Sequence, residues 1–275
     1  MIAPETDTTS DLYIDLIKKC LLDSLYGGEE YRPVRSGGKL FTLVNKYLVW
    51  RGMVACEARP VQTEARSAGK DWPVRALTMV GVNRLDNVQQ CVESVLREQV
   101  PGDFIETGVW RGGSTILMKA LLRAHGDESR VVWVADSFEG LPKPDGEQYP
   151  ADAGDSLHSF EELAVSMEQV QEHFRRFGLL DQNVRFLKGW FKDTLPSAPI
   201  KELAVLRLDG DMYQSTMDAL KALYPRVSEG GYVIVDDYGC ISACKQAVHD
   251  YREAQNVKDE IHAIDWSGVY WRKSG

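Results

Sequence analysis

The sequence lacks the features that mark membrane, secreted and disulfide-stabilised proteins. No apolar run approaches the roughly 18 residues of a membrane span, and the first residues, MIAPETDTTSD, are polar and acidic where a signal peptide would be basic and then apolar. The five cysteines are odd in number and scattered, so neither a disulfide framework nor a zinc site is indicated. These absences predict a soluble cytoplasmic protein with no membrane partner.

Basic residues are too few for a protein that binds nucleic acid. The 275 residues include 32 Lys and Arg against 41 Asp and Glu, a formal net charge of −9, which opposes attraction to a phosphate backbone. Hydrophobic residues make up 44% of the chain, close to the average for globular proteins, so a disordered chain is excluded. At this length we expect one large domain with an accessory region.

The chain divides into two regions by its hydrophobic pattern. Residues 1–100 read as helices and loops without strands, which predicts a helical accessory region that covers the site as a lid. In residues 101–275, short apolar runs alternate with helical periodicities, which is typical of an α/β protein whose parallel sheet is joined by crossover helices. We place strands at 103–108, 130–136, 184–189, 203–210, 231–238, 260–265 and 269–272, with the last two antiparallel.

One crossover helix has clear boundary signals. Ser159 and Glu162 have the spacing of a capping box, apolar residues follow at steps of three and four, and Gly178 ends the pattern. The preceding loop, 137–158, is too long for an ordinary connection and contains three prolines. We expect this loop to order over a substrate, because long loops in compact domains are usually functional or disordered.

A glycine-rich turn, ETGVWRGGS at 106–114, joins the first predicted strand to a helix. Such a turn allows a ligand to meet free N–H groups at the helix start, but its glycines do not spell G-x-G-x-x-G, and a tight structural turn explains them equally well. Asp136 ends the next strand, where doubly wound folds place an acid against a ribose; capping the turn at Ser137 is the alternative. Trp190 follows the third strand and would cover an adenine or belong to the core.

Four aspartates end the fourth and fifth strands: Asp209, Asp211, Asp236 and Asp237. Gathered at one edge they would repel one another unless a cation or shared protons offset the charge. Oxygen donors without His or Cys favour Mg²⁺ over Zn²⁺, and capping of the following helices is the alternative for any single acid. Arg207 lies in the fourth strand and needs a carboxylate partner.

Five segments together, DFIETGVWRGGS, WVADSFEGLP, FLKGWFKDTLP, LAVLRLDGDMYQSTMDAL and GGYVIVDDY, resemble the macrocin O-methyltransferase family. These enzymes methylate deoxysugar hydroxyls of macrolide and aminocoumarin antibiotics. The resemblance implies a Rossmann-like class I methyltransferase with a seven-stranded, mostly parallel sheet, an antiparallel last strand, S-adenosylmethionine and Mg²⁺. By position it places the metal ligands at Asp209, Asp236 and Asp237, and cofactor contacts at Glu106, Gly108, Ser114 and Asp136. We expect further cofactor contacts at Ser137, Trp190 and Asp209.

The resemblance leaves the catalytic base open. Related catechol methyltransferases place a lysine three positions after the first metal-binding aspartate, where this chain has Met212. Asp211 and His158 are therefore the candidates to accept the proton of a glycoside hydroxyl. A catechol-type or phenol-type methyltransferase, a nicotinamide-dependent dehydrogenase and a non-catalytic nucleotide-binding module remain as alternative functions, and a homodimer is possible.

Overall fold

The structure is a computed structural model that describes residues 8–34 and 37–275. Its strands are β1 Glu29–Pro33, β2 Cys56–Pro60, β3 Asp103–Thr107, β4 Val132–Asp136, β5 Val184–Lys188, β6 Leu203–Leu208, β7 Val227–Val235, β8 His262–Ala263 and β9 Val269–Arg272. Its α-helices are α1 Thr9–Leu21, α2 Lys39–Trp50, α3 Thr63–Ser67, α4 Val82–Arg97, α5 Gly113–Ala124, α6 Met167–Arg176, α7 Phe191–Thr194, α8 Tyr213–Leu223 and α9 Ser242–Ala254. Short 3₁₀ turns span Pro150–Asp152, Leu157–Ser159, Glu161–Leu163 and Tyr224–Arg226.

The main sheet has seven strands in the order β5-β4-β3-β6-β7-β9-β8. The five strands from β3 to β7 are parallel, and β9 is antiparallel to both of its neighbours. This confirms the predicted seven-stranded, mostly parallel sheet and the antiparallel pairing of the last two strands. From β3 the chain runs outward through β4 and β5, then returns to the other side of β3 as β6. Ligands of doubly wound sheets bind at such a reversal, outside the carboxyl ends of the strands.

Both faces of the sheet are covered. Successive side chains of a strand point to opposite faces, and Phe104 and Ile105 accordingly belong to two separate hydrophobic clusters. One cluster contains buried residues of α1, α4, α5 and α6, and the other contains those of α8 and α9. All six residues of β6 are buried, as expected for a central parallel strand. Within the described ranges, none of the helices has the length and hydrophobicity to cross a bilayer.

The prediction that residues 1–100 contain no strands is wrong. The structure pairs β1 with β2 in a separate antiparallel sheet, with Tyr31 opposite Ala58. Every residue of β2 is exposed, and Glu30 is the buried residue of β1, so the strands have no apolar alternation to reveal them. They are also separated by α2, which removes the sequence signal of a tight hairpin. The division of the chain at residue 100 stays a prediction, although α1 and α4 share a hydrophobic cluster with the sheet.

The predicted start of the crossover helix at Ser159 is also wrong. The helix α6 begins at Met167, and its capping box consists of Ser166 and Gln169. The Ser-x-x-Glu/Gln pattern occurs at both places, so spacing alone did not separate them. Residues 157–163 form two 3₁₀ turns instead. The predicted buried face was correct, since Val170 and Phe174 are fully buried.

Candidate active site

A cavity of about 610 Å³ opens at the carboxyl ends of the parallel strands. This volume lies within the usual range for small-molecule sites. The cavity brings together ten of the eleven residues singled out in the sequence, which are Glu106, Gly108, Ser114, Asp136, Ser137, Trp190, Asp209, Asp211, Asp236 and Asp237.

The turn after β3 requires glycine at its closest approach to β6. Gly108 has φ +85°, and a Cβ placed on it would lie 1.7 Å from the carbonyl oxygen of Asp209. Gly112, with φ +86°, precedes α5 and provides no side-chain cap. The N–H of Gly113, the first residue of α5, donates to the carbonyl of Leu77 at 3.0 Å, and no side chain caps the rest of the first turn, which contains the buried Ser114 and can face an anionic group.

Asp136 connects two loops of the site. Its Oδ2 accepts the N–H of Val109 at 2.8 Å and its Oδ1 accepts the N–H of Phe138 at 2.7 Å. Burial raises the pKa of Asp136, and these N–H groups act against the rise. Turn stabilisation, the alternative considered from the sequence, is thus present, and a contact with ribose stays a prediction. Ser137 next to it donates its hydroxyl to the carbonyl of Gly140 at 2.6 Å, and Trp190 borders the cavity where α7 begins.

Arg207 is fully buried beneath the acids, and the predicted carboxylate partner is confirmed. Its Nη1 donates to Glu106 and, at 2.7 Å, to Asp209, while its Nη2 donates to Asp236. A second buried guanidinium, Arg84 of α4, donates to the other oxygen of Asp236. Burial raises the pKa of Glu106, and the charge of Arg207 opposes that rise.

Three of the four predicted acids converge. Asp209, Asp236 and Asp237 each offer a carboxylate oxygen within 4.8 Å of the others. β7 ends at Val235, so Asp236 and Asp237 lie beyond the strand. Adjacent residues in an extended strand point to opposite faces, so both acids can face one site only if the strand ends before them, as it does here.

Asp211 lies beside this group. Its backbone N–H donates to Asp237 Oδ2 at 3.2 Å, and its φ of +58° is uncommon for a non-glycine residue. Left-handed backbone at such a position suggests a functional constraint. The extended conformation that would point Asp209 and Asp211 in the same direction is therefore not adopted.

The acids outnumber the cations around them. Two guanidinium groups face six carboxylates, those of Glu106, Asp209, Asp211, Asp236, Asp237 and Asp265. In the part of the chain that the structure describes, neither Asp211 nor Asp237 forms an ion pair. Burial, followed by repulsion from neighbouring acids, raises the pKa of both well above the ordinary value. Surplus negative charge on oxygen donors is the chemistry that fits a hard divalent cation.

His158 is not brought to the acids. It is exposed in the turn Leu157–Ser159, and it does not border the cavity although Leu157 does. Its role as base would require the surrounding loop to move. The loop itself contributes Leu141, Pro142 and Gln148 to the cavity, so its position fits a cover over the site. Its closure on a substrate stays a prediction.

Sequence reasoning missed three contributors to the site. Arg84 lies in the accessory region, yet it reaches an acid 152 positions away. Trp72, from the same region, packs against Phe160 with ring centroids 5.5 Å apart. Trp266, in the loop between β8 and β9, is 44% exposed and borders the cavity. No periodicity marks these residues, since each acts through a contact that only the tertiary fold creates.

Comparisons with known proteins agree on one family. The family described as Macrocin-O-methyltransferase (TylF) matches residues 10–273. The 8-demethyl-8-(2,3-dimethoxy-alpha-L-rhamnosyl)-tetracenomycin-C 4'-O-methyltransferase of Streptomyces olivaceus is 51% identical over 268 residues, covering 97% of this chain and 94% of that protein. The demethyldecarbamoylnovobiocin O-methyltransferase of Streptomyces niveus is 48% identical over 273 residues, covering 99% and 97%. The solved structure of the O-methyltransferase NovP is 48% identical, with a TM-score of 0.84 and coverage of 97% and 100%.

Proposed function

From the premise that this chain belongs to the macrocin O-methyltransferase family, we propose that it transfers a methyl group from S-adenosylmethionine to a sugar hydroxyl of an antibiotic glycoside, with the aid of Mg²⁺. The family confirms the resemblance seen in the sequence, the O-methyltransferase activity and the class I fold. Membership of this family also excludes two of the alternative functions, a nicotinamide-dependent dehydrogenase and a non-catalytic nucleotide-binding module. The S. olivaceus relative is named for a rhamnosyl substrate, which supports a deoxysugar acceptor.

The observation that carries the proposal is the group of converging acids next to the glycine turn. Asp209, Asp236 and Asp237 would hold the cation. The cation would also offset the mutual repulsion of the acids at Asp211 and Asp237, which have no cationic partner in the described chain. Bound there, a divalent cation would supply the positive charge that lowers the pKa of an alcohol, which in water holds its proton about as tightly as water itself.

The chain's own groups would perform the remaining steps. The N–H groups of the first turn of α5 that follow Gly113, together with the hydroxyl of Ser114, would bind the methionine portion of the methyl donor, and Asp136 would hold its ribose. Asp211 would accept the proton of the sugar hydroxyl, because it borders the cavity beside Asp237 whereas His158 does not. S-adenosylmethionine would supply the methyl group: the sugar oxygen would bond to the methyl carbon as the carbon–sulfur bond broke, with S-adenosylhomocysteine as the leaving group.

Methyl transfer to a panel of deoxysugar glycosides, followed by mass spectrometry, tests this function. We expect a product heavier by one methylene unit, loss of turnover after exhaustive chelation and recovery when Mg²⁺ is added back. Undiminished turnover after chelation would overturn the metal requirement. Asp211→Asn should lower kcat by about 100-fold or more if Asp211 is the base, and turnover near wild type at neutral pH would remove that assignment.

We also propose a homodimer as the assembly. The helix α2 has no buried residue and exposes Leu43, Tyr47 and Trp50 by more than half of their surfaces. Contiguous exposed apolar surface is typical of protein interfaces. Light scattering gives the molar mass directly, and a monomer at micromolar concentration would contradict this proposal.

A further inference from the structure

A buried carboxylate, Asp152, anchors the middle of the long connection between β4 and α6. It ends the 3₁₀ turn Pro150–Asp152 and is 2% exposed. Its Oδ1 accepts the backbone N–H of Tyr213 at 2.7 Å, and its Oδ2 accepts that of Gln214 at 3.0 Å. Both donors belong to the first turn of α8. A buried charge of this kind needs such partners, so the contact is specific.

The helix α8 has no cap of its own. Its N-cap residue, Met212, has extended backbone and makes no side-chain hydrogen bond. The first N–H groups of a helix otherwise lack partners and carry the positive end of the helix dipole. Asp152 provides the missing acceptor and the matching negative charge from 61 positions upstream. The ring of Tyr149, 6.1 Å from that of Tyr213, packs beside the same contact.

The capped end of α8 is continuous with the reactive acids. Asp209 and Asp211 come directly before it, and the left-handed backbone of Asp211 must be held by its surroundings. Asp237 holds this turn on one side, through the N–H of Asp211. Asp152 holds it on the other side, through the N–H of Tyr213. Asp152 does not border the cavity, so it acts through these neighbours.

We propose that Asp152 is a positioning residue that joins two events: docking of residues 137–163 over the cavity and placement of the turn at Asp209 and Asp211. The same two hydrogen bonds serve both docking and placement, because the acceptor, Asp152, belongs to residues 137–163 and the donors belong to α8, the helix that follows Asp209 and Asp211. Residues 137–163 therefore dock over the cavity only when the turn that contains Asp209 and Asp211 has the conformation seen in the structure. This inference rests on the proposed methyl transfer for its catalytic part, and on the geometry alone for its structural part.

Substitution of Asp152 tests the coupling. Asp152→Ala removes both acceptors, and Asp152→Asn retains one oxygen and the shape if the alanine variant folds poorly. Asp127→Asn is the matched control: Asp127 also accepts backbone N–H groups in a loop, those of Ser129 and Arg130, and it does not border the cavity.

We expect Asp152→Ala to lower kcat by about 100-fold, the usual cost of a small misplacement of reacting groups, with a smaller change for Asp152→Asn and none for Asp127→Asn. Calorimetry with S-adenosylhomocysteine as the probe should show a Kd within about threefold of wild type, since most of the expected cofactor contacts, Glu106, Gly108, Ser114, Asp136 and Trp190, lie outside residues 137–163 and the turn at Asp209. Hydrogen exchange of the protein without acceptor should show protection lost together at residues 137–163 and 213–216.

Protection lost in only one of those two segments, or an unchanged kcat beside a lowered Tm, would overturn the inference and leave Asp152 as an ordinary helix cap. If the wild-type enzyme methylates no glycoside in the panel, the proposed function fails instead. The exchange measurement still decides the structural part in that case, because it uses no acceptor.

Discussion

The two halves of the site differ in how the protein satisfies their charges. In the half formed by β3 and β4, Asp136 is bonded to two backbone N–H groups and Glu106 to Arg207. In the half formed by β6 and β7, Asp211 and Asp237 have raised pKa values, and within the described chain neither has a cationic partner. Burial also raises the pKa of Glu106 and Asp136, and Oε2 of Glu106 has no hydrogen bond within the described chain, but each of these two acids has a cation or N–H groups beside it. Asp211 and Asp237 have no such cation, so the second half has surplus negative charge that a divalent ion would offset.

The largest effect should follow removal of an unpaired acid. Asp237→Asn eliminates a carboxylate that would hold the cation, and since such an ion supplies several kcal/mol to the reaction, we expect kcat to fall by about 1,000-fold. The Kd for S-adenosylhomocysteine, measured by calorimetry, should barely change because Asp237 is outside the cofactor half. If kcat and the Kd changed together, the two halves of the site would not be separable; Asp127→Asn controls for the loss of a partly buried aspartate outside the cavity.

Removal of a bonded acid should have a smaller and different effect. Asp136→Asn keeps one oxygen acceptor but loses the charge that holds the turn at Val109, and a hydrogen bond to a charged group is worth about 1.5 to 3 kcal/mol. We expect cofactor binding to weaken by about tenfold or more, with metal affinity unchanged. Calorimetry with each ligand in turn checks both statements, and weaker metal binding in this variant would contradict the comparison.

Two kinds of feature could be predicted from the sequence: buried strands and helices, which follow from local hydrophobic periodicity, and the position of the site at the carboxyl ends of the parallel strands. Buried strands and the rule that ligands meet their carboxyl ends were sufficient to bring Asp209, Asp236 and Asp237 together. Arg84 was not found, since nothing local distinguishes a charged residue that will be buried by a distant strand. The pairing of β1 with β2 escaped for a similar reason, because exposed strands separated by a helix carry no apolar alternation. Asp152 caps a helix that it does not precede, so no capping pattern marks it.

The pH dependence of stability should distinguish the halves without catalysis. Because the pKa of Asp237 is raised in the folded state, its contribution to stability is complete below the unfolded pKa, about 3.9, and is lost as pH rises through the folded value. Chelated Asp237→Asn should therefore gain in Tm over chelated wild type as pH increases from 5 to 8, by a few degrees at most. Mg²⁺ should raise the Tm of the wild type and leave that of the variant unchanged.

The same scan has a control of opposite sign. Despite partial burial, hydrogen bonds from Ser129 and Arg130 lower the pKa of Asp127 in the folded state. Its contribution to stability is present above the unfolded pKa, so Asp127→Asn should have a lower Tm than wild type by the same amount across this pH range. If Asp237→Asn lowered the Tm in the same way, the folded protein would stabilise the charged form of Asp237 and the contrast between the halves would not hold.

The smallest effect should come from His158, the alternative base. It is exposed and does not border the cavity, so His158→Ala should alter kcat by less than about twofold if the proton passes to Asp211, since a positioned base contributes about 100-fold or more. A large loss of kcat in this variant would show that the loop carries His158 to the acceptor, and the base would then come from residues 137–163 rather than from the acids that follow β6 and β7.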